Sequence, residues 1–250
     1  MEAPDRVAPH PPLAEYYAGT GERVGFVRRL FDDTAPQYDR INAVFSLGTG
    51  AWYRRQALLR AGLRPGMRVL DVAVGTGLVA REAARVVGDP GAVTGLDPSR
   101  GMLAEARRQL PGIGLVQGRA EALPLPDGSV DFLSMGYALR HVAELGAAFA
   151  EYRRVLRPGG TVLLLEIGRP EGRRAHAAAR FYLGTVVPAL CRLTAPRGRA
   201  GTLMQYYWDT IEACVPADTI LHHLAASGFE AVRCDTALGI FRAYTARRPG

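Results

Sequence analysis

Short apolar runs alternate with amphipathic segments through the middle of this 250-residue chain. Short apolar runs are typical of strands buried on both faces, and apolar residues spaced three and four apart indicate helices. Strands alternating with helices predict a parallel, doubly wound sheet. The predicted strands are Met67–Val72, Ala92–Leu96, Ile113–Gln117, Val130–Tyr137 and Thr161–Ile167, and the predicted helices between them are Leu78–Val87, Ser99–Leu110 and Leu145–Leu156.

The pattern changes on both sides of this core. Residues 15–62 predict helices around a polar and aromatic stretch, Asp32 to Gly50. After Gly168 the spacing again favours helices, and two strands close the chain. The predicted C-terminal elements are a helix from His176 to Leu193 with a kink at Pro188, helices Met204–Cys214 and Thr219–Ala226, and strands Phe229–Cys234 and Ile240–Ala246.

Composition narrows the class of protein. The chain is 48% hydrophobic and 22% charged, which fits one globular domain with a substantial core. No run reaches the roughly 18 apolar residues of a membrane span, and the Pro-rich start lacks the apolar core of a signal peptide. The three cysteines are far apart, without metal-ligand spacing. We therefore expect reduced thiols, a cytoplasmic location and no metal site.

The charge pattern excludes several kinds of site. The net charge is +7, and all 31 basic residues are arginine because the chain has no lysine. The arginines are scattered and accompany no nucleic-acid motif, so we expect no nucleic-acid partner. The absence of lysine excludes a Walker P-loop, Schiff-base chemistry and a Tyr-x-x-x-Lys dehydrogenase site.

The strongest chemical signal is the stretch from Val69 to Gly77. An apolar strand holds Asp71, the glycine turn Gly75-Thr76-Gly77 follows, and the next strand ends in Asp97. This layout is typical of a nucleoside cofactor, with Asp97 accepting hydrogen bonds from the ribose hydroxyls. Gly75 to Ala80 also matches a dinucleotide fingerprint, so NAD is a rival. Asp71 favours S-adenosylmethionine, since it can orient an α-ammonium group.

Further motifs resemble the class I S-adenosylmethionine-dependent methyltransferases, and more narrowly the ubiquinone/menaquinone biosynthesis C-methyltransferase family. The resemblance runs from about Phe31 to the C-terminus and rests on these segments: Phe31-Asp32, Tyr38-Asp39-Arg40-Ile41-Asn42, Ser46-Leu47-Gly48, Trp52, Asp71 to Gly77, Glu121-Ala122-Leu123-Pro124, Leu139-Arg140, Tyr206, Ile211 and Ser227-Gly228-Phe229. It implies cofactor contacts at Thr76, Asp97 and the Arg119-Ala120 pair, and methylation of a ring carbon of a polyprenyl hydroquinone.

The resemblance implies an α/β, Rossmann-like, doubly wound and mostly parallel seven-stranded sheet, with N-terminal helices and a helical insertion that caps the active site. We expect a disordered tail over residues 1–20 and one methyltransferase domain over 21–250. Its parts are N-terminal helices (21–62), a cofactor-binding core (63–168), a helical cap (169–215) and a closing helix with strands (216–250). The predicted cofactor-binding residues are Asp71, Ala73, Gly75, Thr76, Gly77, Asp97, Pro98, Met102, Arg119, Ala120, Glu121 and Gly136.

Departures from the family pattern lie mainly on the acceptor side. Arg119 stands where the family usually has Asn or Asp, Gly136 where a serine is expected, and His141 where the family has Asn. Gly50-Ala51 replaces a His-Arg pair. These departures indicate a change in the methyl acceptor more than a change in the methyl-transfer chemistry.

Methylation of a phenolic ring needs a base or a cation beside the acceptor. We predict catalytic roles for His141, Arg140 and Tyr38, and acceptor contacts for Tyr137, Tyr206 and Tyr207. A capping or core role for His141 and the tyrosines is the alternative. We expect a small-molecule acceptor. The sequence leaves three further questions open: whether that acceptor is lipophilic, whether the protein contacts a membrane surface, and whether it forms a homodimer. Rival functions are an O-methyltransferase of specialised metabolism, a phospholipid N-methyltransferase and a non-catalytic methyltransferase-like subunit.

Overall fold

A computed structural model of the protein describes residues 7–46, 48–187, 189 and 200–250. Its sheet has seven strands in the order β3-β2-β1-β4-β5-β7-β6. Only β7 runs antiparallel to its neighbours within this sheet. The predicted fold class is therefore confirmed. The strands are β1 Val69–Val72, β2 Val93–Asp97, β3 Gly114–Gln117, β4 Val130–Gly136, β5 Leu156–Ile167, β6 Glu230–Ala237 and β7 Phe241–Arg247.

The helices of the described part of the chain surround this sheet. A stretch of π-helix, Tyr182–Val186, continues the helix Arg173–Phe181, and the predicted kink at Pro188 lies outside the described residues. The helix Tyr38–Ser46 falls inside the stretch from Asp32 to Gly50, where the sequence pattern predicted no separate helix. The helices are α1 Thr20–Thr34, α2 Tyr38–Ser46, α3 Gly50–Arg60, α4 Leu78–Val87, α5 Arg100–Gln109, α6 Leu145–Val155, α7 Arg173–Phe181, α8 Ala200–Ala213 and α9 Ala217–Ala226.

Apolar side chains pack on both faces of the sheet. On one face α6 and α9 cover the strands, and on the other α3, α4 and α5 do so. All four residues of β1 are buried, as expected for a strand covered on both faces. A third apolar cluster joins α1 to α8 through residues such as Leu30, Leu203 and Tyr206. It covers the carboxyl ends of the strands, where ligands bind in such sheets.

Strand β5 is longer than the sequence pattern indicates. It begins at Leu156 instead of Thr161, because Leu156 pairs with Val130 ahead of a register shift in β4. Helix α6 ends immediately before it, at Val155. In the described part of the chain, no helix is both long enough and apolar enough to cross a membrane.

The predicted disordered tail is wrong for residues 7–20. The Val7 carbonyl accepts a hydrogen bond from the Leu145 amide (3.0 Å), and the Pro9 carbonyl accepts one from the Val215 amide (2.8 Å). His10 and Tyr17 are buried. The segment thus ties the start of α6 to the loop after α8, which local composition could not reveal. Residues 1–6 lie outside the described residues.

Candidate active site

The glycine turn after β1 has one open face and one packed face. Gly75 and Gly77 have φ angles of 56° and 94°, in the left-handed region that favours glycine. A Cβ atom at Gly75 would meet no atom within 4 Å, whereas one at Gly77 would clash with the Leu110 side chain. Gly75 therefore leaves room for a ligand, and Gly77 lets the turn pack against the end of α5.

Two buried carboxylates flank this turn. Asp97 accepts hydrogen bonds from the amides of Gly75 and Ser99, both at 2.8 Å, and Asp71 accepts one from the Ser134 hydroxyl at 2.6 Å. Burial raises the pKa of Asp97 to about 6 and the pKa of Asp71 to about 7. Partners that donate hydrogen bonds or carry positive charge would restore their ionisation.

Aspartates from the N-terminal helices fasten those helices over the turn. Asp32 accepts hydrogen bonds from the Ser99 hydroxyl (2.6 Å) and the Gly101 amide (2.8 Å), both at the start of α5. Asp39 accepts one from the Thr76 hydroxyl at 2.5 Å. A Cβ atom at Gly101 would lie 2.9 Å from the Asp32 Cα, so glycine permits this approach. The sequence motifs contained both aspartates. They indicated that Asp39, with Tyr38, could close over the cofactor or contact the acceptor, and they indicated no role for Asp32.

A cofactor cavity of about 870 Å³ lies between the strand ends and α1. Most of the predicted cofactor-binding residues line it: Ala73, Gly75, Asp97, Pro98, Met102, Arg119, Ala120, Glu121 and Gly136. Val24, Val27, Arg28 and Phe31 form the opposite wall, which the sequence reasoning missed. Asp71 and Thr76 line a bridging compartment of about 350 Å³ next to it. Gly77 lines neither space, which agrees with its packing role.

Two of the departures from the family pattern have local explanations. Arg119 stays beside the cavity and pairs with Glu121, with 3.4 Å between the Arg119 Nε and the carboxylate. Glu121 in turn accepts a hydrogen bond from the Ala143 amide at 2.5 Å. A Cβ atom at Gly136 would lie 2.6 Å from the Val79 side chain, so α4 fills the space that a serine would need.

An outer cavity of about 1300 Å³ meets the cofactor cavity at three tyrosines. Tyr38, Tyr137 and Tyr207 line both spaces, and the hydroxyls of Tyr38 and Tyr207 lie 2.7 Å apart. Tyr137 has a φ angle of 60°, a strained value for a non-glycine residue at the end of β4. The remaining wall is largely apolar, with Ile41, Trp52, Tyr53, Ile167, Leu203, Met204, Leu238 and Phe241 among its residues.

The other predicted catalytic and acceptor residues fall at different depths. His141 lines the cofactor cavity between the rings of Phe31 and Tyr207. Arg140 lines neither cavity and is fully buried against Glu166, at 2.5 Å. Tyr206 also lies outside both cavities and packs on Tyr16 and His141. This placement does not support direct acceptor contacts for Arg140 or Tyr206.

Comparison with known proteins assigns this site to a family. The model of the ubiE/COQ5 methyltransferase family matches residues 19–246, nearly the whole chain. The chain belongs to the ubiE/COQ5 methyltransferase family. It is thus an S-adenosylmethionine-dependent methyltransferase, and the NAD alternative falls away.

Relatives of the family cover most of the chain. The ubiquinone/menaquinone biosynthesis C-methyltransferase UbiE of Shewanella halifaxensis is 34% identical over 217 residues, covering 84% of this chain and 85% of the relative. The same enzyme of Hahella chejuensis is 37% identical over 180 residues, covering 70% and 72%. A methyltransferase structure from Aquifex aeolicus has a TM-score of 0.57 at 20% identity, covers 78% of this chain and 89% of its own, and supports the fold alone.

The residues at the site of this family member fit the cofactor. Gly75 leaves open space at the turn, and the Gly75 and Ser99 amides hold the Asp97 carboxylate in place beside it. That carboxylate would accept hydrogen bonds from the ribose hydroxyls of the cofactor. Asp71 offers a second carboxylate for an ammonium group. Methionine and alanine side chains at Met102 and Ala120 supply apolar walls for a flat ring.

Proposed function

We propose that this enzyme methylates a ring carbon of a hydroquinone- or naphthoquinol-type acceptor. The observation that carries the proposal is the apolar and aromatic outer cavity, which opens onto the cofactor cavity between Tyr38, Tyr137 and Tyr207. A flat aromatic acceptor would stack among these rings at the junction. The names of the relatives, which are C-methyltransferases of quinone biosynthesis, point the same way.

The cavity also suits a long apolar substituent on the ring. Besides the tyrosines of the junction, its wall includes the apolar residues Leu203, Met204, Trp52 and Leu238. Trp52 is 64% exposed and Leu238 is 88% exposed, so the apolar lining continues to the protein surface. A polyprenyl chain would lie along this wall and leave through the mouth.

His141 is the proposed proton acceptor. Bound S-adenosylmethionine supplies a methyl group on an activated sulfonium, so the protein must position the ring and accept its hydroxyl proton. Burial lowers the pKa of His141 well below its ordinary value, and the charges of Arg140 and Arg23 lower it further. The imidazole is therefore neutral. Both ring nitrogens are buried, and among the described residues neither has a hydrogen-bond partner, so an acceptor hydroxyl in the adjoining cavity would supply one of the missing partners.

Tyr38 and Arg140 support the same step from different distances. Tyr38 reaches the junction, and its hydroxyl pairs with that of Tyr207. The Arg140 guanidinium lies 4.6 Å from the centre of the Tyr207 ring. We propose that Arg140 acts through Tyr207 as a positioning residue, and that its charge favours phenolate character in the acceptor.

A methyl-transfer screen tests the proposed acceptor class. Purified enzyme is incubated with S-adenosylmethionine and short-chain naphthohydroquinones, benzohydroquinones, simple phenols or phosphatidylethanolamine, and the products are identified by mass and fragmentation. We expect methylated carbon on a hydroquinone. Products methylated only on oxygen or on nitrogen would contradict the proposal, as would cofactor binding without transfer to any acceptor.

On that acceptor, we expect His141→Ala to lower kcat about 100-fold, because general-base steps contribute on the order of 10²–10⁴ in rate. The Kd for S-adenosylmethionine should change less than about threefold. The measurement is steady-state kinetics with calorimetric titration of the cofactor. His222→Ala is the matched control, since His222 lines neither cavity. A wild-type kcat in His141→Ala would remove His141 from the mechanism.

We also propose that the cavity mouth rests on an anionic membrane surface. Trp52 and Leu59 are exposed on α3 together with the basic residues Arg55 and Arg60. In the turn before β7, Leu238 has a φ angle of 52°, a strained backbone conformation for a non-glycine residue, and its side chain is exposed. Exposed tryptophan and leucine beside arginine are typical of interfacial surfaces. Such contact would deliver a lipophilic acceptor directly to the mouth.

Vesicle binding measures this contact. We expect cosedimentation with phosphatidylglycerol-containing vesicles and weak binding to pure phosphatidylcholine vesicles, since each basic residue near an anionic surface contributes about 1 kcal/mol. Trp52→Ser with Leu238→Ser should lower the partition coefficient on the order of tenfold or more, because partial burial of both side chains supplies about 2 kcal/mol.

Phe181→Ser is the matched control for this experiment. Phe181 is 63% exposed, like Trp52, but lines neither cavity. Equal losses of vesicle binding in the control and the double variant would show that exposed apolar residues bind vesicles wherever they lie on the protein, and not specifically at the cavity mouth. Unchanged binding in the double variant would contradict the proposed surface.

A further inference from the structure

Arg54 is a buried cation without a carboxylate partner among the described residues. It lies on α3, is 6% exposed and forms none of the salt bridges found there. Within the described part of the chain its Nε has no hydrogen-bond partner, and its guanidinium carbon lies 5.6 Å from the centre of the Tyr137 ring. Buried charges in proteins are usually paired, because an unpaired one is costly.

Arg54 lines the bridging compartment as well as the outer cavity. This space lies between the two larger cavities, and its walls include Asp71 and the turn residues Gly75 and Thr76. The positive charge of Arg54 lowers the pKa of Asp71, although burial outweighs it. One compartment therefore has both an acidic residue, Asp71, and a basic residue, Arg54, in its lining. This arrangement matches a zwitterion, with an ammonium for Asp71 and a carboxylate for Arg54.

Gly50 makes room for this arginine. A Cβ atom at Gly50 would lie 2.6 Å from Arg54 Nη1, so a larger side chain there would displace the guanidinium. The Gly50-Ala51 pair is also the position where the chain departs from the His-Arg pair of the family it resembles. Arg54 lies one helical turn beyond this pair and therefore on the same side of α3.

We propose that Arg54 binds the α-carboxylate of the methionine part of S-adenosylmethionine, opposite Asp71 on the ammonium. Guanidinium and carboxylate can form two parallel charge-assisted hydrogen bonds. The proposal rests on the cofactor of the family and is independent of the acceptor proposed above. It makes Arg54 a cofactor-binding residue that also forms part of the wall of the outer cavity.

Calorimetric titration with two ligands tests the proposal. Decarboxylated S-adenosylmethionine keeps the sulfonium, the ribose and the amine but lacks the carboxylate. We expect Arg54→Gln to weaken S-adenosylmethionine about 10- to 100-fold and to change the decarboxylated ligand less than about threefold. The wild type should prefer S-adenosylmethionine by the same factor. Arg64→Gln, at an exposed arginine just after α3 that lines none of the three spaces, is the control and should leave both affinities unchanged.

Three results would overturn the assignment. The first is equal binding of both ligands by the wild type, a result that does not depend on whether any variant folds. The second is an equal loss for both ligands in Arg54→Gln, which indicates a structural role. The third is an unchanged cofactor Kd with a raised KM for the acceptor, which would assign Arg54 to the acceptor. A failed acceptor screen leaves all of these measurements intact, so the two proposals fail separately.

Discussion

Replacing Arg140 with methionine is expected to lower the free energy of unfolding by about 3–5 kcal/mol, because it leaves the Glu166 carboxylate buried and unpaired. The two side chains are almost completely buried and lie 2.5 Å apart. Burial opposes the charge on Arg140, but Glu166 outweighs it and raises the pKa of Arg140. Since native proteins have a free energy of unfolding of only about 5–15 kcal/mol, this single change removes a large fraction of the total stability.

A double-mutant cycle separates the charge pair from simple packing. Glu166→Gln keeps a side-chain oxygen that can accept the hydrogen bond that the Leu139 amide donates to Glu166 Oε1 at 3.2 Å. We expect the combined Arg140→Met and Glu166→Gln variant to recover most of the loss, since both charges are then removed. Urea unfolding measures all four proteins. Arg108→Met breaks an exposed pair with Glu105 and should cost about 1 kcal/mol or less. Additive losses in the cycle would contradict a coupled buried pair.

The same pair explains why Arg140 differs from its predicted role. Sequence spacing placed Arg140 at the carboxyl end of β4, where ligands bind, and this location is correct. The spacing could not show that Glu166 on β5 and Thr210 on α8 would enclose the side chain. Such contacts join residues far apart in the sequence. They depend on which helix covers the strand ends, and hydrophobic periodicity carries no information about that.

The sheet and the cofactor-binding turn were predictable because their signals are local. Alternating apolar runs gave all seven strands of the described sheet, and Asp71 and Asp97 end up beside the glycine turn as expected. The covering helices were not predictable in the same way. Asp32 and Asp39 take their roles only when α1 and α2 meet the sheet, and the buried His10 lies in a segment that hydrogen-bonds to the start of α6 and to the loop after α8.

The two carboxylates beside the turn also predict how cofactor binding depends on pH. Burial raises the pKa of Asp97 to about 6 and that of Asp71 to about 7, above the ordinary value near 3.9. Between about pH 4 and pH 7 the folded state therefore binds more protons than the unfolded state. By linkage, these two groups make the free protein less stable as pH rises through that window. Ligand groups that bind the ionised carboxylates act in the opposite direction.

We therefore expect the affinity for S-adenosylmethionine to rise between pH 5.5 and 7.5, by up to about tenfold per pH unit for each proton released on binding. Above about pH 8 the gain should stop, because an α-amino group loses its charge there. Asp71→Asn keeps the shape of the side chain beside Ser134 and should weaken binding at pH 7.5 while flattening the pH dependence. Asp97→Ala should raise Kd on the order of 100-fold, since it removes hydrogen bonds to a charged acceptor. Calorimetric titration at five pH values measures both effects. A wild-type Kd that stays constant from pH 5.5 to 7.5 would show that these carboxylates are already ionised before the cofactor binds.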